Sequence, residues 1–347
     1  MLNFTSALKF TPPSDWLRII AIDAHTAGEP FRVIVDGFPE LKGETILEKR
    51  RFAKENYDHL RTALMWEPRG HADMYGCILT PPVSPDADFG ILFIHNEGFS
   101  TMCGHGIIGI ATVVLETEML PMVSPTTTIK IDSPAGLITA FAHIEDNHVK
   151  NVSFHNVLSF VSELDAVVDV PELGRVRYDL AFGGAFYAYV NAKGVGVKCA
   201  AEDYRLLIEK GMAIKRAVMA SRKIIHPFEE DLGFLYGTIF VDEPQDAGSH
   251  SRNVCIFADG EVDRSPTGTG VSGRLAIHHA RGEIQIGEEI VIESIIGSKF
   301  SGRVVEEAEF GPHRAIQPEV RGEAFLVGRN ELWLNPNDPL NDGFILR

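Results

Sequence analysis

Met102-Cys103-Gly104-His105-Gly106-Ile107-Ile108-Gly109 and Pro266-Thr267-Gly268-Thr269-Gly270-Val271-Ser272-Gly273 are two readings of one pattern. Each has the form X-Gly-X-Gly-X-X-Gly and each runs into a segment with helical character. Thr267 follows Cys103 by 164 positions in a chain of 347 residues, about half its length. An internal duplication explains the spacing, and its pseudo-symmetry brings two helix starts together across a cleft. Glycines at a helix start let backbone N–H groups approach a ligand closely, and the helix dipole favours an anion there. A cysteine at such a position has its thiolate favoured by the same dipole. Cys103 therefore reads as a base or nucleophile, while Cys77, Cys199 and Cys255 read as inert buried thiols.

Outward from these loops, the chain alternates strands and helices in both halves. IIAIDAHTAGEPFRVIV, within Trp16 to Val35, predicts two short strands about a break at Gly28-Glu29-Pro30. Helical spacing covers Ile46 to Trp66, Ile107 to Met119, Ala201 to Arg222 and Val271 to Ala280. Strand-like runs occupy Phe89–Ile94, Thr128–Ile131, Leu137–Ile144 and Val149–Phe154. In the second half they occupy Tyr178–Leu180, Ala185–Val190, Leu235–Val241, Asn253–Ala258, Glu289–Ile295 and Arg303–Glu307. The pattern breaks near Pro171. The expected organisation is an α+β chain in two similar halves, residues 1–170 and 171–337.

Composition narrows the function. Hydrophobic residues at 45% and charged ones at 23% give ample core, excluding disorder, collagen and coiled coil. The apolar run Ile107 to Leu115 is too short to span a bilayer, and MLNFTSALKF lacks the basic start of a signal peptide. A net charge of −16 gives no help with nucleic acid or anionic lipid. The four cysteines include no CxxC pair and read as reduced thiols of a cytoplasmic protein. An anionic small substrate must then be held by local dipoles, against the global field.

Other chemistries fit less well. A dinucleotide fingerprint needs a strand running straight into the first glycine and an acid about 20 positions on. Phe99-Ser100-Thr101 and Asp263-Arg264-Ser265-Pro266 intervene instead. No GxSxG, HExxH or close His/Cys ligand set occurs, so neither an α/β-hydrolase nor a metal site is expected. A Cys–His hydrolase is disfavoured because residues i and i+2 at a helix start do not face each other. Asp263-Arg264 reads either as a salt-bridged turn or, through Asp263, as a partner for a substrate amine.

These stretches, with Asp23-Ala24-His25-Thr26-Ala27-Gly28-Glu29-Pro30 and Arg69-Gly70-His71-Ala72-Asp73-Met74, resemble the proline racemase family over nearly the whole chain. The resemblance implies two pseudo-symmetric α+β domains of the diaminopimelate-epimerase-like fold, each a curved sheet around a central helix. It also implies an active site between them and a C-terminal end, about 338–347, returning to the first domain. Racemases of this family work with two cysteines and no cofactor, one on each face of the α-carbon. Cys103 matches the first and Thr267 stands at the second. A threonine hydroxyl is too weak an acid and base for that step. The Cys/Thr pair is what the family's trans-3-hydroxy-L-proline dehydratases look like, in which one base suffices and 1-pyrroline-2-carboxylate is formed. Proline racemisation or 4-hydroxyproline epimerisation is the alternative, and an amino-acid-binding protein the non-enzymatic one. By resemblance Gly104, His105, Gly268 and Thr269 hold the carboxylate and Asp263 meets the ring nitrogen. His25 and His226 lie in recognisable stretches with no assigned contact. The expected partner is a small amino acid, with no cofactor, metal, nucleic acid or membrane, and self-association into a homodimer is left open.

Overall fold

Residues 2–346 are described by a computed structural model. Leu17–Thr26 (β1) and Glu29–Asp36 (β2), each with a run of consecutive buried residues where alternation was expected, pair as an antiparallel hairpin. Its two turn residues, Ala27 and Gly28, have φ of 53° and 92°, the doubly positive pattern of a type I′ turn. The break therefore precedes Glu29, which already belongs to β2.

Helix α1 (Phe4–Leu8) lies before the hairpin and buries none of its residues. After it, Thr45 and Glu48 form a reciprocal capping box that starts α2 (Ile46–Met65). Strand β3 (Tyr75–Thr80) runs parallel to β2, and β4 (Phe89–His95) runs antiparallel to β3. Gly98–Ser100 (β5) folds back on β4, leading into α3 (Gly104–Glu116). Strand β6 (Thr126–Ser133) then pairs parallel with β4 and opens the meander β7 (Gly136–Glu145), β8 (His148–His155).

The second half repeats this order. Ser159–Val170 (β9) turns into β10 (Gly174–Phe182), which forms a hairpin with β11 (Phe186–Asn191). Two 3₁₀ turns, Lys193–Val195 and Ala201–Asp203, precede α4 (Tyr204–Ser221). Strand β12 (Leu235–Asp242) is parallel to β11, β13 (Ser251–Phe257) antiparallel to β12, and β14 (Glu261–Val262) folds back on β13. Next come α5 (Gly268–Ala280), β15 (Glu289–Glu293) parallel to β13, and the antiparallel β16 (Lys299–Phe310) and β17 (His313–Gly322). Helices α3 and α5 both run 13 residues and start 164 positions apart, so the duplication extends from the loops to the topology.

Each half wraps its sheet around one helix. Helix α3 packs on β1, β2, β7, β8 and the last strand, β18 (Ala324–Leu334); α5 packs on β9, β10, β16 and β17. Ile107, Ile110, Val113 and Leu115 are fully or almost fully buried, each stabilising the fold by roughly 1.5–3 kcal/mol. The mixed α+β architecture, a closed strand barrel with few helices, agrees with expectation.

The crossings between the halves fall elsewhere than expected. Pro171 sits in the β9–β10 hairpin turn, and the chain leaves the first half at 156–158, between β8 and β9. It returns through β17, whose Glu319–Gly322 stretch pairs with β8, and through β18, which pairs with β1 from Thr26↔Ala324 to Leu17↔Leu334. The return thus begins well before residue 338, although Phe344 also bridges to Glu67. Among the described residues no helix is long and apolar enough to cross a membrane.

Candidate active site

Cys103 is the N-cap of α3, with extended backbone, and its Sγ accepts a hydrogen bond from the Gly106 N–H (3.2 Å). The helix begins at the glycines, three residues before the predicted start. Thr267 is the N-cap of α5, but at φ 66°, ψ 95°. That left-handed conformation is rare for a β-branched residue and costs of order 1–3 kcal/mol. Local bonds hold it there. The Thr267 N–H donates to Ser265 Oγ (3.1 Å), and the Thr267 hydroxyl donates to Asp263 Oδ2 (2.9 Å). The hydroxyl makes no cap bond to its own helix.

The two helix starts meet glycine to glycine. A Cβ on Gly104 would lie 2.5 Å from the Gly268 Cα, and one on Gly268 would lie 2.7 Å from the Gly104 Cα. First-turn N–H groups have no intrahelical partner. Gly104, His105, Gly268 and Thr269, all in such first turns, line the cavity between the halves. Its volume is about 20 Å³, room for roughly one water molecule. Cys103, His105, Asp263 and Thr267 all line it, so the expected site residues come together in one place.

Its electrostatics differ from those expected of a thiolate site. Burial pushes the Cys103 thiol well up, against the opposing Gly106 N–H bond. Desolvation outweighs that bond, and Cys103 rests as a thiol. Burial, then the charge of Arg264, pulls His105 down to about 3, so its imidazole is neutral. Burial also pushes Asp263 up to about 6, against hydrogen bonds from Ser265 and Thr267.

Cys103 and His105 do face each other, contrary to the i,i+2 expectation. Sγ is 3.2 Å from Nδ1 and 3.5 Å from Nε2. The expectation applied helical geometry to Cys103, whose N-cap backbone is extended and turns its side chain back over the first turn.

The Asp263-Arg264 pair divides its roles. Asp263 lines the cavity, whereas Arg264 reaches across to the first half, to Glu29 (3.6 Å) and Asp73 (3.7 Å). Its N–H also donates to Glu29 Oε2 (2.7 Å). The two early signature stretches thus converge on the loop that carries Asp263. His25 lies elsewhere, accepting from the Gly28 N–H (3.3 Å). His226 packs against Phe182 and Phe310.

Sequence reasoning missed Tyr75, Tyr187, Tyr236 and Cys255, which line the same cavity. Tyr187 hydrogen-bonds Thr269 (2.8 Å between hydroxyls). Each lies in a strand buried at nearly every position, so alternation carried no signal separating cavity from core. Cys255, read as inert, is a second thiol in the cavity. Among the described residues no group of three or more His, Cys, Asp or Glu is arranged to hold a metal ion.

A chain of two barrel-like halves, each around a helix that starts at a shared cavity, defines a fold class to which comparison adds a family. The proline racemase family profile matches residues 21–345. A trans-3-hydroxy-L-proline dehydratase of Colwellia psychrerythraea is 49% identical over 332 residues, covering 96% of this chain and 94% of that one. One of Bacillus cereus is 47% identical over 325 residues, covering 94% and 97%. The crystal structure of a hydroxyproline epimerase from Agrobacterium vitis, with bound trans-4-hydroxy-L-proline, superposes with a TM-score of 0.90. It is 32% identical, over 95% of this chain and 96% of that one. The chain belongs to the proline racemase family, and it is an enzyme.

Proposed function

We propose that this enzyme is a hydro-lyase that dehydrates trans-3-hydroxy-L-proline to 1-pyrroline-2-carboxylate. The observation that carries the reading is the unequal pair at two facing helix starts, a thiol at Cys103 and a hydroxyl at Thr267. The two dehydratase relatives support it.

The chemistry needs one base. The Cys103 thiolate removes the Cα proton, the electrons of that bond form a C2=C3 double bond, and the C3–O bond breaks to release water. The resulting enamine tautomerises to the cyclic imine. No electrons are exchanged with a second compound. The first-turn N–H groups of Gly104, His105, Gly268 and Thr269 receive the substrate carboxylate, aided by both helix dipoles. Asp263, ionised, meets the ring ammonium. Epimerisation would need a second base where Thr267 directs its hydroxyl proton to Asp263.

Incubation with trans-3-hydroxy-L-proline should release one product per substrate consumed, reducible by borohydride to proline. Substrate recovered unchanged, or recovered only as its C2 epimer, would overturn the reading.

A further inference from the structure

Stereochemistry sets a condition that Cys103 alone does not meet. In trans-3-hydroxy-L-proline the hydroxyl lies across the ring from the carboxylate. The Cα hydrogen also lies across from the carboxylate. Hydrogen and hydroxyl therefore share one ring face. Hydroxide leaves poorly unless it is protonated as the C–O bond breaks, so an acid must stand on the face where Cys103 stands.

Thr267 and Asp263 do not meet that need. They belong to the other helix start, and the Thr267 proton is already committed to Asp263. On the Cys103 side stands the His105 ring, within 3.5 Å of Sγ at both nitrogens. The ring is buried and borders the cavity. Edge contacts with Tyr75 (centroids 4.7 Å apart) and Phe31 (5.9 Å) hold its orientation.

We infer that Cys103 and His105 form one acid–base pair serving a single ring face, with His105 as the acid that protonates the departing 3-hydroxyl. The inference deepens the dehydratase reading and rests on it. As substrate binds, the thiol proton passes to the imidazole, and the bound carboxylate offsets the cost of the new positive charge. The thiolate takes the Cα proton while the C2–C3 double bond forms. The imidazolium gives its proton to the hydroxyl as the C–O bond breaks, and water leaves. The pair ends as it began, thiol and neutral imidazole, consistent with the basicity of His105 that burial depresses. The proton carried off in one turnover's water is the Cα proton of the previous substrate.

The test compares two leaving groups in wild type and His105→Gln. Chloride departs without a proton, so trans-3-chloro-L-proline bypasses the acid. In His105→Gln, dehydration of trans-3-hydroxy-L-proline should fall roughly 10²-fold or more beyond any fall in chloride elimination. Equal falls in both reactions would overturn the inference, as would a selective loss of dehydration in Tyr75→Phe and not in His105→Gln. A second arm needs no variant. Wild type should exchange the Cα hydrogen of cis-3-hydroxy-L-proline in D₂O yet dehydrate it about 10²-fold more slowly than the trans isomer. Equal dehydration of both isomers would refute the one-face assignment. Wild type that leaves the trans hydroxy compound intact would instead refute the substrate reading itself.

Discussion

At position 267 one side chain separates two chemistries. Replacing Thr267 by Cys removes the β-branch from a left-handed backbone site and puts a thiol across the cavity from Cys103. L-Proline has no leaving group beside Cα, so elimination cannot compete. Thr267→Cys should form D-proline where wild type forms none, at a rate well below the 10²–10⁴ gain that a well-placed base supplies, roughly tenfold over background. Chiral chromatography reads the outcome, and an unchanged enantiomer would mean that position 267 does not face Cα. Asp263 offers a stability test at the same scale. Its folded-state pKa of about 6 exceeds the ordinary 3.8, so the folded protein binds this proton more tightly than the unfolded chain. Stability from this group is present below pH 3.8 and lost as pH rises through 6, by about 3 kcal/mol for a shift of two units. His105, depressed to about 3, contributes the opposite slope, which cancels when wild type is compared with a variant that keeps it. Asp263→Asn should therefore match wild type in denaturant stability near pH 4 and exceed it near pH 7.5. Parallel curves would remove the buried-carboxylate argument.

Among the elements, α3 and α5 show what close approach demands. With only 2.5 Å between a methyl carbon added at Gly104 and the Gly268 backbone, Gly104→Ala must push the two helix starts apart. Overpacking of this kind costs roughly 1–3 kcal/mol. A displacement of about 1 Å at the carboxylate donors should lower kcat/KM roughly 10²-fold while circular dichroism still reports a folded protein. Undiminished turnover would place the carboxylate elsewhere. These helices were legible in the sequence because glycine spacing announces both, and all-round apolarity announces α3. The strands between them were legible only in part. YGCILT (β3) is a short apolar run without alternation, and β17 carries Pro318 inside its pairing with β16. Strand β18 holds Phe325, Leu326 and Val327 in succession, all exposed, a pattern that matches neither strand nor helix burial. For the site, the loops named Cys103, Thr267 and Asp263. The i,i+2 rule concealed His105's contact with Cys103, and burial on every side concealed the tyrosines and Cys255.

At the scale of the molecule, strands β9 and β18 decide how far the halves can be taken apart. The second half is closed from within its own run, β9 against β10 and β17, whereas the first half draws its closing strand, β18 against β1, from beyond the whole of the second. A chain ending at residue 323 keeps every cavity residue but leaves β1 with a free edge. It should be insoluble or rapidly cleaved by protease, in contrast to the full chain. A stable, active 1–323 fragment would show that β18 is dispensable.

The same pairing orders events during synthesis. Leu17 emerges from the ribosome early, and its partner Leu334 follows after roughly 300 residues, about 15–60 s at 5–20 residues per second. Throughout that interval the nascent N-terminal barrel is unsealed, with a hydrogen-bonding edge open to other chains. Completion of the first-made half therefore waits on a strand synthesised after the whole of the second half.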